Sequence, residues 1–219
     1  MNDAVDTNVF SFFAGLPQQG PGRDVDTLAA LRVIAERLPD TPAVADMGCG
    51  TGRSTLALAR SLQSTITAIE LSPVLCAGLR ERAAAAGLAQ LIDVREADMS
   101  QPPLAERSQD LIWSEASAYS IGFAEALTAW RRLLKDNAFC VASECAWLSE
   151  ERPQHVAAFW NREYPAMRTL EGNASLAEDA GYIVEATHVL PEAGWHAYYG
   201  PIKEAMARAD TKILGADFE

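Results

Sequence analysis

Four carboxylates stand at or just beyond the ends of short apolar runs in the first half of the chain: Asp46, Glu70, Asp98 and Glu115. A carboxylate accepts hydrogen bonds at two oxygens, so it suits a ligand that offers hydroxyl or amine donors. It can also take a proton from a reacting group. A single acid in such a place is most often a helix cap or a solvated loop residue. Four in succession indicate one shared binding crevice.

The first of these acids leads into a turn with alternating glycines, Gly48, Gly50 and Gly52. An apolar run precedes the turn and a second apolar run follows it, which predicts a buried strand, a tight turn and the start of a helix. Glycine tolerates positive φ and lets a ligand approach the bare backbone. Amide groups at the start of the helix would point at that ligand. The spacing differs from a Walker phosphate loop, which needs a lysine, and from the dinucleotide fingerprint, where the third glycine comes one position later.

The elements that position these residues alternate between strand and helix as far as residue 145. The predicted strands end at Asp46 and span 65–70, 91–95, 110–114 and 138–144, and the predicted helices span 24–38, 54–62, 73–86 and 123–135. This alternation predicts a parallel sheet with helices on both faces. In such a sheet the ligand binds beyond the carboxyl ends of the strands, near the point where the strand order reverses.

The pattern changes after residue 145. The sequence predicts a helix over 153–164, a second helix ending at Gly181, strands over 182–190 and 195–199, and a closing helix over 201–213. The turn at 191–194 between the two strands favours an antiparallel hairpin. Residues 1–23 form an N-terminal arm that either packs its aromatic rings on the domain or acts as a lid, with Gln18 or Gln19 supplying amide contacts.

Three segments, DMGCGTG at 46–52, AIELS at 68–72 and EADMS at 96–100, together resemble the class I S-adenosylmethionine-dependent methyltransferases over residues 27–145. The resemblance implies an α/β, doubly wound, Rossmann-like sheet of seven strands, mostly parallel with a reversed last strand, and helices on both faces. It also implies that residues 24–219 form one methyltransferase domain with a helical insertion at about 147–172.

The same resemblance implies how S-adenosylmethionine would bind, with S-adenosylhomocysteine as the product. Turn amides would contact the methionine part, Asp46 would hold the turn or reach the amino group, and Glu70 would accept both ribose hydroxyls. Asp98 would accept from the adenine amine between flanking apolar side chains. The implied cofactor residues are Asp46, Gly48, Cys49, Gly50, Gly52, Glu70, Leu71, Asp98, Met99 and Glu115.

The methyl acceptor is less clearly indicated. The motif [DN]-P-P-[YFW], found after strand four in methyltransferases that act on exocyclic amines of bases or on glutamine, is absent at 115–122. We therefore expect a small molecule, with nitrogen or oxygen more favoured than carbon as the methylated atom. The candidate catalytic residues are Glu115, Tyr119 and His196, and Glu144 could face the same site. Each of these residues has an alternative, structural role. The acids could form hydrogen bonds to the inserted loop, and the histidine could be a partly buried residue of the hairpin.

The composition of the chain argues against some classes of binding partner. The net charge is −12 and the acids are spread along the chain, which argues against a nucleic-acid or anionic-membrane surface. The N-terminus lacks a basic start and an apolar core, and no apolar run reaches membrane-spanning length, so we expect a cytoplasmic protein. The four cysteines form no C-x-x-C motif and no metal site is predicted. The chain could form a homodimer.

Two rival functions remain open at this point. One is a non-catalytic protein that binds S-adenosylmethionine without transferring its methyl group. The other is a nicotinamide-dependent oxidoreductase, which the early third glycine disfavours.

Overall fold

The computed structural model describes residues 10–208. Its main sheet has five parallel strands in the order β3-β2-β1-β4-β5. These strands are β1 (Val44–Met47), β2 (Ile66–Glu70), β3 (Ile92–Glu96), β4 (Gln109–Glu115) and β5 (Leu134–Ser143). The order reverses between β1 and β4, so their carboxyl ends open a crevice where the sequence predicts one.

Helices connect the strands and continue beyond them. They are α1 (Asp24–Ile34), α2 (Arg53–Leu62), α3 (Pro73–Ala85), α4 (Phe123–Arg131), α5 (Gln154–Glu163), α6 (Leu170–Asp179) and α7 (Glu192–Arg208). Short 3-10 turns at Ala35–Arg37, Ala89–Leu91 and Ala118–Ile121 extend or link them. A separate pair of two-residue parallel strands joins β6 (Ala146–Trp147) to β7 (Arg168–Thr169).

Alternate residues of the central strands enter two different apolar clusters, because successive side chains of a strand point to opposite faces. Val44, Ile66 and Leu111 pack with Leu31 of α1 and Leu58 of α2, in one cluster. On the other face a second cluster holds Ala45, Ile69, Ile112 and, from α4, Ala126 and Trp130. Both faces of the sheet are therefore covered, which confirms the predicted doubly wound α/β architecture.

The prediction of seven strands with a reversed last strand is not confirmed, because the main sheet of the described residues has five strands and all of their pairings are parallel. Residues 182–190, predicted as a strand, have no regular secondary structure. Residues 182–188 of this segment line a groove of about 680 Å³ beside the outer edge of β5. The β-branched residues that favoured a strand do not pair with that edge; Ile183 is 89% exposed.

The predicted strand over 195–199 is wrong, because these residues lie inside helix α7. The amide of Gly194 donates to the carbonyl of Pro191 at 2.8 Å, so the supposed hairpin turn is the first turn of a helix. Trp195 and Tyr199, four residues apart, stack with ring centroids 6.1 Å apart. The aromatic residues thus satisfy helical rather than alternating spacing. The closing helix begins earlier than predicted, and the predicted part beyond residue 208 lies outside the described residues.

No helix within residues 10–208 is long and apolar enough to cross a membrane.

Candidate cofactor and acceptor site

The glycine turn follows β1 directly and leads into α2. Gly48, Gly50 and Gly52 all have positive φ, at 69°, 56° and 86°. A methyl group at Gly52 would also stand 2.1 Å from Cδ1 of Leu79, inside the core. Conformation and packing therefore both require glycine at this position.

The amides of the turn donate to acceptors within the protein. The amides of Gly48 and Cys49 donate to the carbonyl of Ile69 at 2.9 and 3.1 Å. The Thr51 amide and hydroxyl both donate to Oε1 of Gln19, each at 2.8 Å. Gln19 comes from the N-terminal arm, so part of the arm covers the turn. The predicted contact of Gly48, Cys49, Gly50 and Gly52 with the methionine part of a cofactor stays a prediction.

Asp46 is buried at the end of β1 and holds the first turn of α2. Its Oδ2 accepts from the hydroxyls of Ser54 at 3.1 Å and Thr55 at 2.7 Å. Its Oδ1 is buried and has no hydrogen-bond partner among residues 10–208. Burial raises the pKa of Asp46 to about 7, and the two hydroxyls oppose this rise. Asp46 thus contacts the first turn of α2 rather than the glycines themselves. Its two predicted roles, holding the glycine turn or reaching the amino group of the cofactor, stay predictions.

Glu70 ends β2 and lies against the turn. Its Oε2 accepts from the Gly50 amide and its Oε1 from the Ser72 amide, both at 2.9 Å. Each carboxylate oxygen can accept a second hydrogen bond. The neighbouring Leu71 is 67% exposed, which leaves an apolar surface beside the carboxylate.

Asp98 and Met99 follow β3, the edge strand next to β2, at the same carboxyl edge of the sheet. Oδ1 of Asp98 accepts from the Ser100 amide at 2.7 Å, and the hydrogen bonds from Ser100 lower the pKa of this exposed carboxyl. Met99 is buried, and its sulfur would lie 3.1 Å from a Cβ at Gly48. The segment is anchored because Trp130 donates to the Met99 carbonyl at 2.8 Å.

Glu115, at the end of β4, is engaged in an ion pair with Arg53, the first residue of α2. Its Oε1 also accepts from Thr27 at 2.6 Å and from the Trp113 indole at 2.8 Å. Only 14% of each charged side chain is exposed. Glu115 is therefore a structural partner of Arg53 in this structure, and its predicted role as a catalytic base is not supported by a free carboxylate.

Arg53 also lies at the candidate site, although no motif of the sequence indicates it. It lines a cleft of about 50 Å³ together with Gln19, Gly50 and Glu115. One signal could have identified it: a cation in the first turn of a helix opposes the helix dipole and so calls for a specific partner.

Tyr119 and His196, the other candidate catalytic residues, are not brought together by any contact in the described part of the chain. Tyr119 lies on the 3-10 turn Ala118–Ile121, and its ring packs on Tyr164 at 5.9 Å between centroids. His196 lies on α7 with 74% of its side chain exposed, and its Nε2 is 3.5 Å from Glu192 Oε1. His196 as a base was predicted for a hairpin that does not form, because the aromatic spacing there is helical.

Glu144, one residue beyond β5, lies near Tyr119. Its Oε1 accepts from the Cys145 amide at 2.8 Å, and its Oε2 is buried without a hydrogen-bond partner among the described residues. Burial raises the pKa of Glu144 to about 7, opposed by the Cys145 amide and the Tyr164 hydroxyl. Among residues 10–208 no group of three or more His, Cys, Asp or Glu side chains could hold a metal ion.

Comparison with known proteins finds similarity to methyltransferases. Residues 44–137 match the family model described as a methyltransferase domain. The dimethylglycine N-methyltransferase of Parasynechococcus marenigrum (strain WH8102) is 37% identical over 110 residues, which are 50% of this chain and 39% of that protein. The chain thus spans less than half the length of this curated relative.

Solved structures share the fold. A methyltransferase from Geobacter sulfurreducens, crystallised with S-adenosylhomocysteine, superposes with a TM-score of 0.78 at 20% identity, covering 92% of this chain and 81% of that one. A putative sarcosine dimethylglycine methyltransferase from Galdieria sulphuraria gives a TM-score of 0.75 at 18% identity, covering 99% and 88%. The chain therefore has the fold of these methyltransferases, and its residues 44–137 match a methyltransferase domain.

Proposed function

We propose that this protein transfers the methyl group of S-adenosylmethionine to a nitrogen or oxygen atom of a small molecule. The observation that carries the proposal is the glycine turn at the end of β1, with Glu70 at the end of the neighbouring β2 and Asp98 just beyond the end of β3, the next strand outward. All three lie at the carboxyl edge of the sheet, and the turn itself is at the point where the strand order reverses, which is where open α/β sheets bind ligands.

In this proposal Glu70 accepts the two ribose hydroxyls with the hydrogen-bonding capacity that its amide partners leave. Leu71 packs on the adenine ring, Asp98 accepts from the adenine amine, and Met99 flanks the ring. Arg53 and Gln19, beside the turn, contact the methionine end. The Geobacter relative crystallised with S-adenosylhomocysteine supports this choice of cofactor.

The chemistry requires little beyond alignment. S-adenosylmethionine supplies a methyl group that its sulfonium already activates, so the protein has to place an acceptor atom in line and keep water out. The carboxyl edge of the sheet supplies the fixed side of that site. The name of the curated relative, a dimethylglycine N-methyltransferase, supports nitrogen as the acceptor atom.

Three segments outside the central sheet would enclose the acceptor. The arm reaches the glycine turn through Gln19 and acts as a lid. The inserted segment 147–172 brings Tyr164 to Tyr119. Helix α7 meets the arm where the Gly22 amide donates to the Gly194 carbonyl at 3.1 Å.

Calorimetric titration with S-adenosylmethionine and with S-adenosylhomocysteine tests the cofactor site. Wild type should bind both in the micromolar range, and Glu70→Ala should bind at least about tenfold more weakly, about 1.4 kcal/mol. The matched control is Glu96→Ala, because Glu96 pairs with Glu70 in the sheet register but is exposed. Thermal unfolding must accompany each titration because Glu70 also holds two backbone amides.

If a well-folded wild type bound neither ligand, the proposal would fail. If wild type does bind, a second assay measures whether it releases S-adenosylhomocysteine when S-adenosylmethionine and a pool of amines and alcohols are supplied. Release identifies an enzyme, and no release identifies a protein that only binds the cofactor.

A further inference from the structure

Four tyrosines from three separate segments gather beyond the end of β5; we call them the tyrosine cluster, namely Tyr119, Tyr164, Tyr198 and Tyr199. The rings of Tyr119 and Tyr164 meet edge to face at 5.9 Å, and those of Tyr198 and Tyr199 lie 5.0 Å apart. The two pairs are near enough that an ionised Tyr199 would raise the pKa of Tyr119, and an ionised Tyr119 that of Tyr198. Tyr119 remains 51% exposed, so the cluster keeps an open side.

Glu144 lies within the reach of this cluster. Its charge acts on both Tyr119 and Tyr164. Its Oε2 atom is buried and lacks a hydrogen-bond partner among residues 10–208. An unpartnered buried carboxylate oxygen costs free energy unless something else satisfies it. The position therefore favours a ligand with a positive charge or an N–H donor.

The cluster borders the crevice proposed for the cofactor. Tyr119 lies two residues after Ser117, whose Cβ is the nearest atom to a Cβ built on Gly48 of the glycine turn. Glu144 directly follows Ser143, whose hydroxyl accepts from the Ala116 amide at 2.9 Å. Ser143 pairs in register with Glu115. A ligand among the tyrosines would thus approach the cofactor from the β4–β5 side.

We propose that the tyrosine cluster and Glu144 form the acceptor site, and that the acceptor is a small aliphatic amine that enters as its ammonium cation. This inference rests on the proposed function and names the substrate class of that same site. Tyrosine rings attract an ammonium group through their π faces, and the carboxylate supplies the opposite charge.

Glu144 can also accept the proton that the amine has to lose before it is methylated. A bound ammonium ion transfers a proton to Glu144, whose pKa of about 7 suits a base near neutral pH. The freed nitrogen lone pair forms the new N–C bond while the S–C bond breaks and its electron pair stays on sulfur. The positive charge moves from sulfur to the methylated nitrogen, where the tyrosine rings continue to stabilise it.

Binding of choline in the presence of saturating S-adenosylhomocysteine tests the site, with the neutral carbon analogue of choline as the matched ligand. Choline should bind wild type, and the neutral analogue should bind at least about tenfold more weakly. Tyr119→Leu and Glu144→Gln should each weaken choline at least about tenfold, whereas Tyr119→Phe, which keeps the ring, should retain most of the affinity. Phe159→Leu, a partly exposed aromatic packed on Trp160, is the control variant and should bind as wild type.

The outcomes separate this inference from the proposed function. Equal binding of choline and its neutral analogue, or choline binding that survives both Tyr119→Leu and Glu144→Gln, would overturn the amine site while S-adenosylhomocysteine binding stands. So would absence of choline binding to wild type. If wild type did not bind S-adenosylhomocysteine, the proposed function would be overturned instead. Choline would in that case be titrated in the absence of S-adenosylhomocysteine, and the same comparison of ligands and variants would show whether the amine site exists. Mass spectrometry of products from amino alcohols gives a second decision, since a methyl group on oxygen contradicts the inference.

Discussion

At the scale of single residues, the carboxylates that look alike in sequence have different environments. Asp46 is fully buried against two hydroxyls, Glu70 binds two amides, and Glu115 is paired with Arg53. Asp46 and Glu144 each combine a buried oxygen without a partner in the described residues with a pKa of about 7, but only Glu144 lies beside the tyrosine cluster. Chemistry at this site thus depends on burial and partners rather than on residue type.

The ion pair of Glu115 with Arg53 should contribute to stability. Glu115→Gln keeps an acceptor for Thr27 and Trp113 but leaves Arg53 with only the more exposed Asp24, 3.6 Å away, as a counter-charge. We expect a loss of about 2 kcal/mol in the free energy of unfolding, below the value for fully buried pairs because both side chains retain some solvent contact. Urea unfolding measures it. Glu106→Gln, which removes an exposed acid 3.6 Å from Arg132, should change stability by less than about 0.5 kcal/mol. Equal effects of the two variants would contradict the structural role.

Asp46 should make stability depend on pH. Its folded pKa of about 7 lies above the value for an unfolded aspartate, so between about pH 4 and 7 the native state binds more protons. Wild type should therefore lose stability relative to Asp46→Asn as the pH rises through this window, by at most about 1.4 kcal/mol per pH unit, and the difference should level off above it. Unfolding free energies measured at several pH values check the sign. Asp40→Asn, at an exposed position, should run parallel to wild type.

At the scale of elements, the turn between β1 and α2 is the most tightly determined part of the site. Its three positive φ angles, the contact with Leu79 and the support from Glu70 all fall within a few residues. The register of β1 with both β2 and β4 then places this turn between the ends of neighbouring strands.

Two glycine variants separate backbone strain from steric conflict in this turn. Gly52→Ala forces a positive φ on alanine and places its methyl group 2.1 Å from Leu79, so it should cost roughly 2–4 kcal/mol. Gly87→Ala has a similar φ of 71° but no atom within 4 Å of the new methyl group, so only strain of about 1 kcal/mol is expected. Chemical unfolding compares them. Matching losses would mean that Leu79 moves aside freely.

At the scale of the whole molecule, distant segments converge over one edge of the sheet. Arg82 of α3 donates to the carbonyls of Pro17 at 2.6 Å and Leu16 at 2.5 Å, and Gln19 reaches Thr51. The arm also bonds to α7 through Gly22 and Gly194. The arm therefore connects α3, the glycine turn and the last helix across the crevice.

Removal of the Arg82 guanidinium should loosen the arm without unfolding the sheet. In Arg82→Ala, the amide of Leu16 should exchange with solvent at least about tenfold faster, because local opening of the arm becomes less costly. Hydrogen exchange with mass spectrometry measures it. The control is Arg80→Ala on the same helix, whose guanidinium donates to Val94 and not to the arm. An arm that exchanges as in wild type after the Arg82 change would show that other contacts hold it.

Short-range sequence patterns account for the locally encoded parts of this protein. Apolar periodicity, helix-capping residues and glycine spacing act over a few neighbouring positions, so the first five strands, their helices and the turn at 48–52 follow from them. The boundary before β5 does not: the helix predicted over 123–135 ends at Arg131, and β5 begins at Leu134 rather than at residue 138. The position of four acids at strand ends follows as well, since a parallel sheet brings those ends to one edge. Their separate roles do not.

Contacts between side chains that are far apart in the sequence become visible only in the folded protein. Arg53 and Glu115 are 62 residues apart and Gln19 and Thr51 are 32 apart, so no local pattern predicts their contacts. Residues 182–190 had strand-like composition, but a strand forms only where a partner offers its backbone groups. The sequence from Trp195 to Tyr199 is compatible with both strand and helix spacing. In the structure it is helical, and residues four apart, Trp195 and Tyr199, stack on each other. Pairing and packing therefore determined how the acceptor side of the site is built.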